Sequence, residues 1–355
     1  MVSLNFNDFY FLLNPIVLVS FLWVFFFKIN TTVQKVSLDN GFNLNCLKVN
    51  SNGVFISYYI LLILYLTLNV YLLRGKNDTA LFNHFNLSNF TFNLLYLFIL
   101  VGFSTFFLLK VVFKKTNLLK SLDYLFSLNN LIILFPYLFF VNTLFSFLFF
   151  LELMSAILFY KLLSSKVWFK NSDNTKYLNN NIPQNYINMV FFQYWVTFFS
   201  TIFIIYFYVN VFYFYGTSEW FVIQFLNTNF FENPQAQSNT LRVLVVVFLL
   251  GVLFKLGVTP FHLFKIEVYK GIPFLSIFFY TTYYFVVFFI FFLFMLSDFL
   301  VFFIPQYFVF LSILLLFGSI YVAVLLFDVS FLKAFFTYST VINSIGFLIA
   351  FISSI

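Results

Sequence analysis

The stretch "FKLGVTPFHLFKIEVYKGIP", residues 254–273, brings Lys255, Gly257, Pro260, His262 and Glu267 close together in a chain that elsewhere avoids charge. Apolar residues run up to Lys255 as they would along a buried helix. Gly257 and Pro260 then interrupt the ladder, because proline has no N–H to donate and its ring clashes with the preceding turn. The pattern predicts a helix broken inside an apolar environment, with a lysine before the break and a histidine and a glutamate after it. Backbone groups freed at such a break are tolerated in a bilayer only where they line a cavity or are covered by protein. Discontinuous helices of this kind occur at the ion sites of transporters, where half-helix ends supply partial charges. His262 has the one side chain in the stretch that titrates naturally near neutral pH.

The rest of the chain sets the solvent for this break. Of 355 residues, 63% are hydrophobic and 8% charged, with a mean hydropathy of +1.00, which excludes a soluble domain and defines an integral membrane protein. The 65 phenylalanines exceed what a bilayer requires and point to codon bias in an A+T-rich genome. One cysteine, Cys46, excludes an internal disulfide framework, and two histidines leave little material for a haem or metal site, so no redox cofactor is expected on this chain. The N-terminal "MVSLNFNDFYFLLNP" shows neither a basic region before its apolar run nor an Arg- and Ser-rich amphipathic helix, and organelle synthesis is the expectation. The net charge of +7 lies mainly in short loops and reads as membrane topology rather than nucleic-acid binding.

A bilayer core of about 30 Å takes roughly 20 apolar residues per helix, which gives about ten predicted spans. They run over Phe9–Phe27, Val54–Leu73, Phe92–Phe113, Tyr124–Phe140, Thr143–Leu163, Met189–Tyr213, Leu241–Gly257, Ile272–Met295, Phe303–Phe327 and Phe331–Phe351. Lysines gather in the loops after the first, third and fifth spans, at Lys35, Lys48, Lys114, Lys115, Lys120, Lys166, Lys170 and Lys176. By the positive-inside rule those loops face the matrix or cytoplasm and both chain ends face the other side. N-x-S/T triplets such as Asn30–Thr32 follow from the high Asn content and are not read as glycosylation sites.

Two charges cannot be placed in loops or at helix ends. Glu152, in "FLFFLELMSAILFYKL", falls near the middle of the fifth span, and Lys255 lies late in the seventh. A charge at that depth costs about 2.5–3.5 kcal/mol on insertion scales, so it is expected to face a bundle interior, a partner charge or water. One reading is a packing salt bridge, with Lys255 snorkelling to the interface. The other is a proton relay in which a desolvated lysine exchanges a proton under the influence of the carboxylate.

At these residues the sequence resembles the NADH dehydrogenase subunit 2 family, antiporter-like proton-pumping subunits of the respiratory NADH:ubiquinone oxidoreductase, complex I. "KLGVTPFHLFKIEVYKGIP" is similar to the family's K-L-G-x-x-P-F-H-x-W-x-P-[DE]-V-x-x-G-x-P stretch without gaps, with Phe264 and Ile266 replacing its Trp and second Pro. "LELMSAILFY" resembles the family's glutamate-bearing helix, and "LKAFFTYSTVINSIG" its L-K-R-L-L-A-Y-S-S-I-x-H-M-G segment. The resemblance implies an all-α polytopic membrane protein in which Glu152 is the fifth-helix glutamate, Lys255 its partner on a broken seventh helix, and Lys333 a member of the charged axis in the membrane. Gly257, Pro260, His262 and Glu267 match positions around the break. For Lys333 the rival reading is a helix-end charge beside the loop holding Asp328.

Two departures limit the resemblance. The family carries a second lysine thirty residues after the first, where this chain has Phe285, with Thr281, Thr282, Tyr283 and Tyr284 nearby; Asn343 stands where the family has a histidine. The family pattern also has fourteen helices. The expected organisation is three N-terminal helices over residues 1–122, one complete five-helix repeat over 123–300 and the first two helices of a second repeat over 301–355, with a separate chain supplying the remainder. The implied function is a proton-translocating membrane-arm subunit in the mitochondrial inner membrane, among other membrane-arm subunits and lipids. NADH, FMN, iron–sulfur clusters and ubiquinone would be bound elsewhere in the assembly. The alternatives are a structural arm subunit that no longer pumps and a stand-alone cation/proton antiporter.

Overall fold

The structure is a computed structural model that describes residues 64, 78–113, 118–165, 182–231, 237–295 and 305–354. The first two predicted spans lie outside the described residues, as do Cys46 and most of the loop lysines used for orientation. The protein is an all-α polytopic membrane protein, with one short hairpin as its β-structure among the described residues. It divides into two compact units, Met1–Phe140 and Val141–Ile355.

In the first unit, strands β1 (Asp78–Ala80) and β2 (Phe85–Leu87) pair antiparallel, with Thr79 opposite Asn86. Helix α1 (Asn89–Phe113) starts at a reciprocal cap: the Thr91 N–H donates to Ser88 Oγ at 3.2 Å and the Ser88 N–H to Thr91 Oγ1 at 3.1 Å. Helix α2 (Leu118–Leu134) gives way to a 3₁₀ segment over Phe135–Phe140. The sequence alone predicted one unbroken span over Tyr124–Phe140. Pro136 accounts for the difference, since it cannot supply the hydrogen bond that would continue the α-helical ladder. Phe92 meets Phe140 edge-on at 4.9 Å and Phe98 stacks on Phe139 at 5.1 Å, which closes the segment onto α1.

The second unit holds the predicted break. Helix α3 (Leu144–Ser164) begins at a capping box between Thr143 and Ser146. Helix α4 (Ile182–Tyr215) is 34 residues long, and a short helix the sequence did not announce, α5 (Trp220–Phe231), follows it. The loops before α3 and α5 are tied by backbone hydrogen bonds from Leu144 to Ser218, 2.9 Å, and from Trp220 to Asn142, 3.1 Å. Helix α6 (Gln237–Leu256) and helix α7 (Leu263–Gly271) flank the break and both pack along α4. Gly251 allows this approach: a Cβ there would sit 3.0 Å from Phe203 Cβ and 3.1 Å from the Ser200 carbonyl oxygen.

The predicted eighth span is three consecutive pieces: helix α8 (Phe274–Phe279), a π-helical turn over Tyr280–Tyr284, and helix α9 (Phe285–Met295). Helices α10 (Pro305–Phe327) and α11 (Leu332–Ser354) pack on each other, and α11 also reaches α7. Four stretches among the described residues are long and apolar enough to cross a bilayer: Leu144–Ser164, Tyr186–Tyr215, Ser276–Met295 and Leu332–Ser353.

Candidate functional site at the helix break

The break is built by a glycine cap. Gly257 adopts φ +63°, the left-handed region in which a Cβ is strained, and its N–H donates to the Phe254 carbonyl at 3.2 Å while the Val258 N–H donates to the Leu253 carbonyl at 3.3 Å. This is a Schellman closure, so much of the carbonyl end of α6 is satisfied within the chain rather than left open. Thr259–Pro260 is a cis peptide, and the turn through Phe261 and His262 delivers the chain into α7.

Lys255 is buried, 6% exposed, and its Nζ has no hydrogen-bond partner among the described residues. The charged group near enough to act on it electrostatically is Glu152. Glu152 is placed otherwise than expected. It was read as buried; it lies instead on the exposed face of α3, in a stripe with Phe145, Phe149, Ala156, Tyr160 and Leu163. Helical periodicity sets this stripe apart from the positions α3 buries, Phe147, Leu151, Met154 and Leu158. Ser155 Oγ, donating to the Glu152 carbonyl at 2.7 Å, is one turn on and 3.5 Å from a carboxylate oxygen.

His262 is buried at the turn, with its ring edge-on to Tyr321 of α10 at 5.9 Å. Neither ring nitrogen makes a hydrogen bond of good geometry, although the Pro260 backbone is close by. Pro260 itself is exposed. Glu267 turns away from the buried amines and pairs with Lys270, three residues on, in a partly exposed bridge. Lys333 lies on α11 at the other end of α7, where Nζ donates to the carbonyls of Ile272, 2.8 Å, and Lys270, 3.2 Å. The ammonium therefore caps the carbonyl end of α7. The structure thus sets Glu152 within electrostatic reach of Lys255, while Lys333 and Glu267 engage α7 and its end.

The sequence leaves two charges that fit neither loops nor helix ends; the structure buries two further lysines. Lys265 of α7 is 1% exposed, donates from Nζ to the Leu256 carbonyl at 3.1 Å and sits 4.8 Å over the ring of Phe285. Lys161, on α3, is 3% exposed, with Nζ 3.6 Å from the centre of the Phe279 ring. Position along the chain alone assigns both to loops or helix ends. A signal for Lys265 was present: it stands inside the very stretch that resembles the family, at a position where the motif leaves the residue open. The hydroxyls of Thr281 and Thr282 bond back to the carbonyls of Ile277 and Phe278, at 3.0 and 2.7 Å, so they hold the π-turn together.

No family model matches the sequence. The chain is 37% identical over 83 residues to an uncharacterised mitochondrial protein, ORF4, of Paramecium tetraurelia, a match that covers 23% of this chain and 53% of that protein. The chain thus spans about half the length of this curated relative. In three dimensions it is similar to a chain in the structure of a membrane-bound sulfane sulfur reductase, an archaeal respiratory membrane complex. The TM-score is 0.64 at 11% identity, over 95% of this chain and 64% of that one. The protein therefore shares its fold with a subunit of a respiratory membrane complex and part of its sequence with a mitochondrial protein.

Proposed function

We propose that this chain is a membrane-arm subunit of the mitochondrial NADH:ubiquinone oxidoreductase that takes part in proton translocation. One observation carries the reading: a buried lysine ammonium, Lys255, without a hydrogen-bond partner, placed at a capped helix break within electrostatic reach of a mid-span carboxylate. A buried charge left in this state is costly, so such groups in membrane helices mark ion or proton paths. A negative charge approaching Lys255 favours the ammonium, and its withdrawal favours proton release.

The chain would supply protein charge and position to the reaction, while NADH, FMN, iron–sulfur clusters and ubiquinone are handled in other subunits. Glu152, facing outward from α3 in the apolar part of the span, requires protein rather than lipid against it, which supports placement beside other membrane-arm subunits. Further membrane-arm helices would cover the exposed apolar faces of α10 and α11, which carry Phe317, Tyr321, Phe335 and Phe347. The setting would be the mitochondrial inner membrane.

A second reading, an arm subunit that no longer pumps, draws on one feature: Phe285 is apolar where the resemblance expects an amine. Substituting Lys255→Met in the assembled complex tests both. Under the pumping reading, assembly is retained and proton uptake per NADH oxidised falls; full assembly with unchanged uptake establishes the structural role instead.

A further inference from the structure

We propose that Lys265 is a second proton-carrying amine of this site, exchanging a proton with the His262 imidazole at the break; the proposal rests on the pumping reading above.

Three features of the geometry support it. First, the side chain is directed inward by construction: a Cβ on Gly257 would lie 3.1 Å from Lys265 Cδ, so the aliphatic stem passes directly over the glycine that makes the break. Its Nζ ends on the carbonyl of Leu256, the residue that follows Lys255. Second, the ammonium has no carboxylate partner among the described salt bridges. Its company is one carbonyl oxygen, the face of Phe285 and, within electrostatic reach, the His262 imidazole. Third, a lysine amine can donate to the Leu256 carbonyl whether it is charged or neutral, because one N–H is enough and the ammonium has three. The anchor therefore survives the loss of a proton.

The transfer step balances with groups already present. An N–H bond of the Lys265 ammonium breaks, its proton forms a new N–H bond on an unpaired nitrogen of the neutral His262 imidazole, directly or through water, and the positive charge moves with it. Lys265 is left neutral and ready to be recharged, and no oxidant or reductant is consumed.

A purely structural cap would need only the positive charge at the Leu256 carbonyl, which arginine also supplies while never releasing its proton. The experiment measures NADH-driven proton uptake with a pH-sensitive dye, per NADH oxidised, in sealed inner-membrane vesicles holding the assembled complex. Lys265→Arg is expected to assemble and to lower uptake as far as Lys255→Met does, because arginine holds the carbonyl but releases no proton. The double variant Lys265→Met with Phe285→Lys, which moves the amine to the opposite side of the same contact, is expected to recover most of it. Wild-type uptake in Lys265→Arg overturns the proposal, and so does a double variant that assembles without recovery. Lys255→Met, measured alongside, separates the two levels. Loss there with full uptake in Lys265→Arg refutes the role of Lys265 alone, whereas unchanged uptake in both refutes the pumping function.

Discussion

The Lys333 ammonium donates to the Ile272 carbonyl at 2.8 Å, across 61 residues of sequence, and so fastens α11 to the carbonyl end of α7. Hydrogen bonds to a charged donor contribute about 1.5–3 kcal/mol. Lys333→Met is expected to lower the thermal midpoint of the assembled protein, and Lys333→Arg to restore most of it. If the capping contact is what matters at this position, Lys333→Arg also restores proton uptake, since arginine holds the carbonyls but releases no proton. Uptake that stays low in Lys333→Arg despite restored stability would assign Lys333 a protonic role instead.

Gly257→Ala is expected to destabilise the break. A left-handed backbone costs an L-residue roughly 1–2 kcal/mol. The added methyl would also press on the Phe264 ring at 3.0 Å and on the Lys265 stem at 3.1 Å. Asn, which tolerates this backbone better, would recover part of the conformational cost but not the steric one. Thermal unfolding of the three proteins orders them Gly, then Asn, then Ala; an Ala variant as stable as wild type contradicts the cap.

Gly318 of α10 and Thr259 of the break are in close apposition: a Cβ at 318 would overlap the Thr259 side chain. Gly318→Ala is therefore expected to cost about 1–3 kcal/mol, the range for overpacking a fitted interface. Thr259→Ala removes the group it collides with, so the double variant should be more stable than the sum of the singles predicts. A double-mutant cycle measures this coupling, and additivity would show that the two helices separate without penalty.

Glu152 is expected to behave as a functional rather than a folding residue of this chain. Because it lies on the exposed face of α3, Glu152→Gln should change the stability of the isolated chain in detergent by no more than about 0.5 kcal/mol, the usual range for surface substitutions. Proton uptake by the assembled complex should fall, since the charge acting on Lys255 is gone. A large loss of stability with no change in uptake would make the pair a structural bridge.

Much of the architecture was legible in the sequence because a bilayer imposes length and apolarity on each span. The described helices α1, α3, α4, α6, α10 and α11 lie where apolar runs predicted them. The break was legible too, since Gly257 and Pro260 have backbone consequences that no neighbour can alter. Pro136 was the same kind of signal, and overlooking it produced the single span where α2 and a 3₁₀ segment stand. The short helix α5 is too short to register as a span, and α7 is legible only as the far side of the break.

Which way each helix turns was decided by tertiary structure alone. In soluble helices polar residues mark the outer face, but here lipid-facing and core-facing sides are both phenylalanine, leucine and isoleucine, so periodicity carries no inside or outside label. Glu152 therefore reads as buried from the sequence although it lies on the exposed side of α3. Lys161 and Lys265 have stems long enough to carry an amine away from the backbone position the sequence gives, and only the placement of Phe279, Leu256 and Phe285 shows where those amines end. The sequence by itself determined a membrane chain with a broken helix beside Lys255. The packing of α3, α7 and α11 around that break decided which charges meet there, because side-chain reach and helix rotation are properties of the assembled bundle.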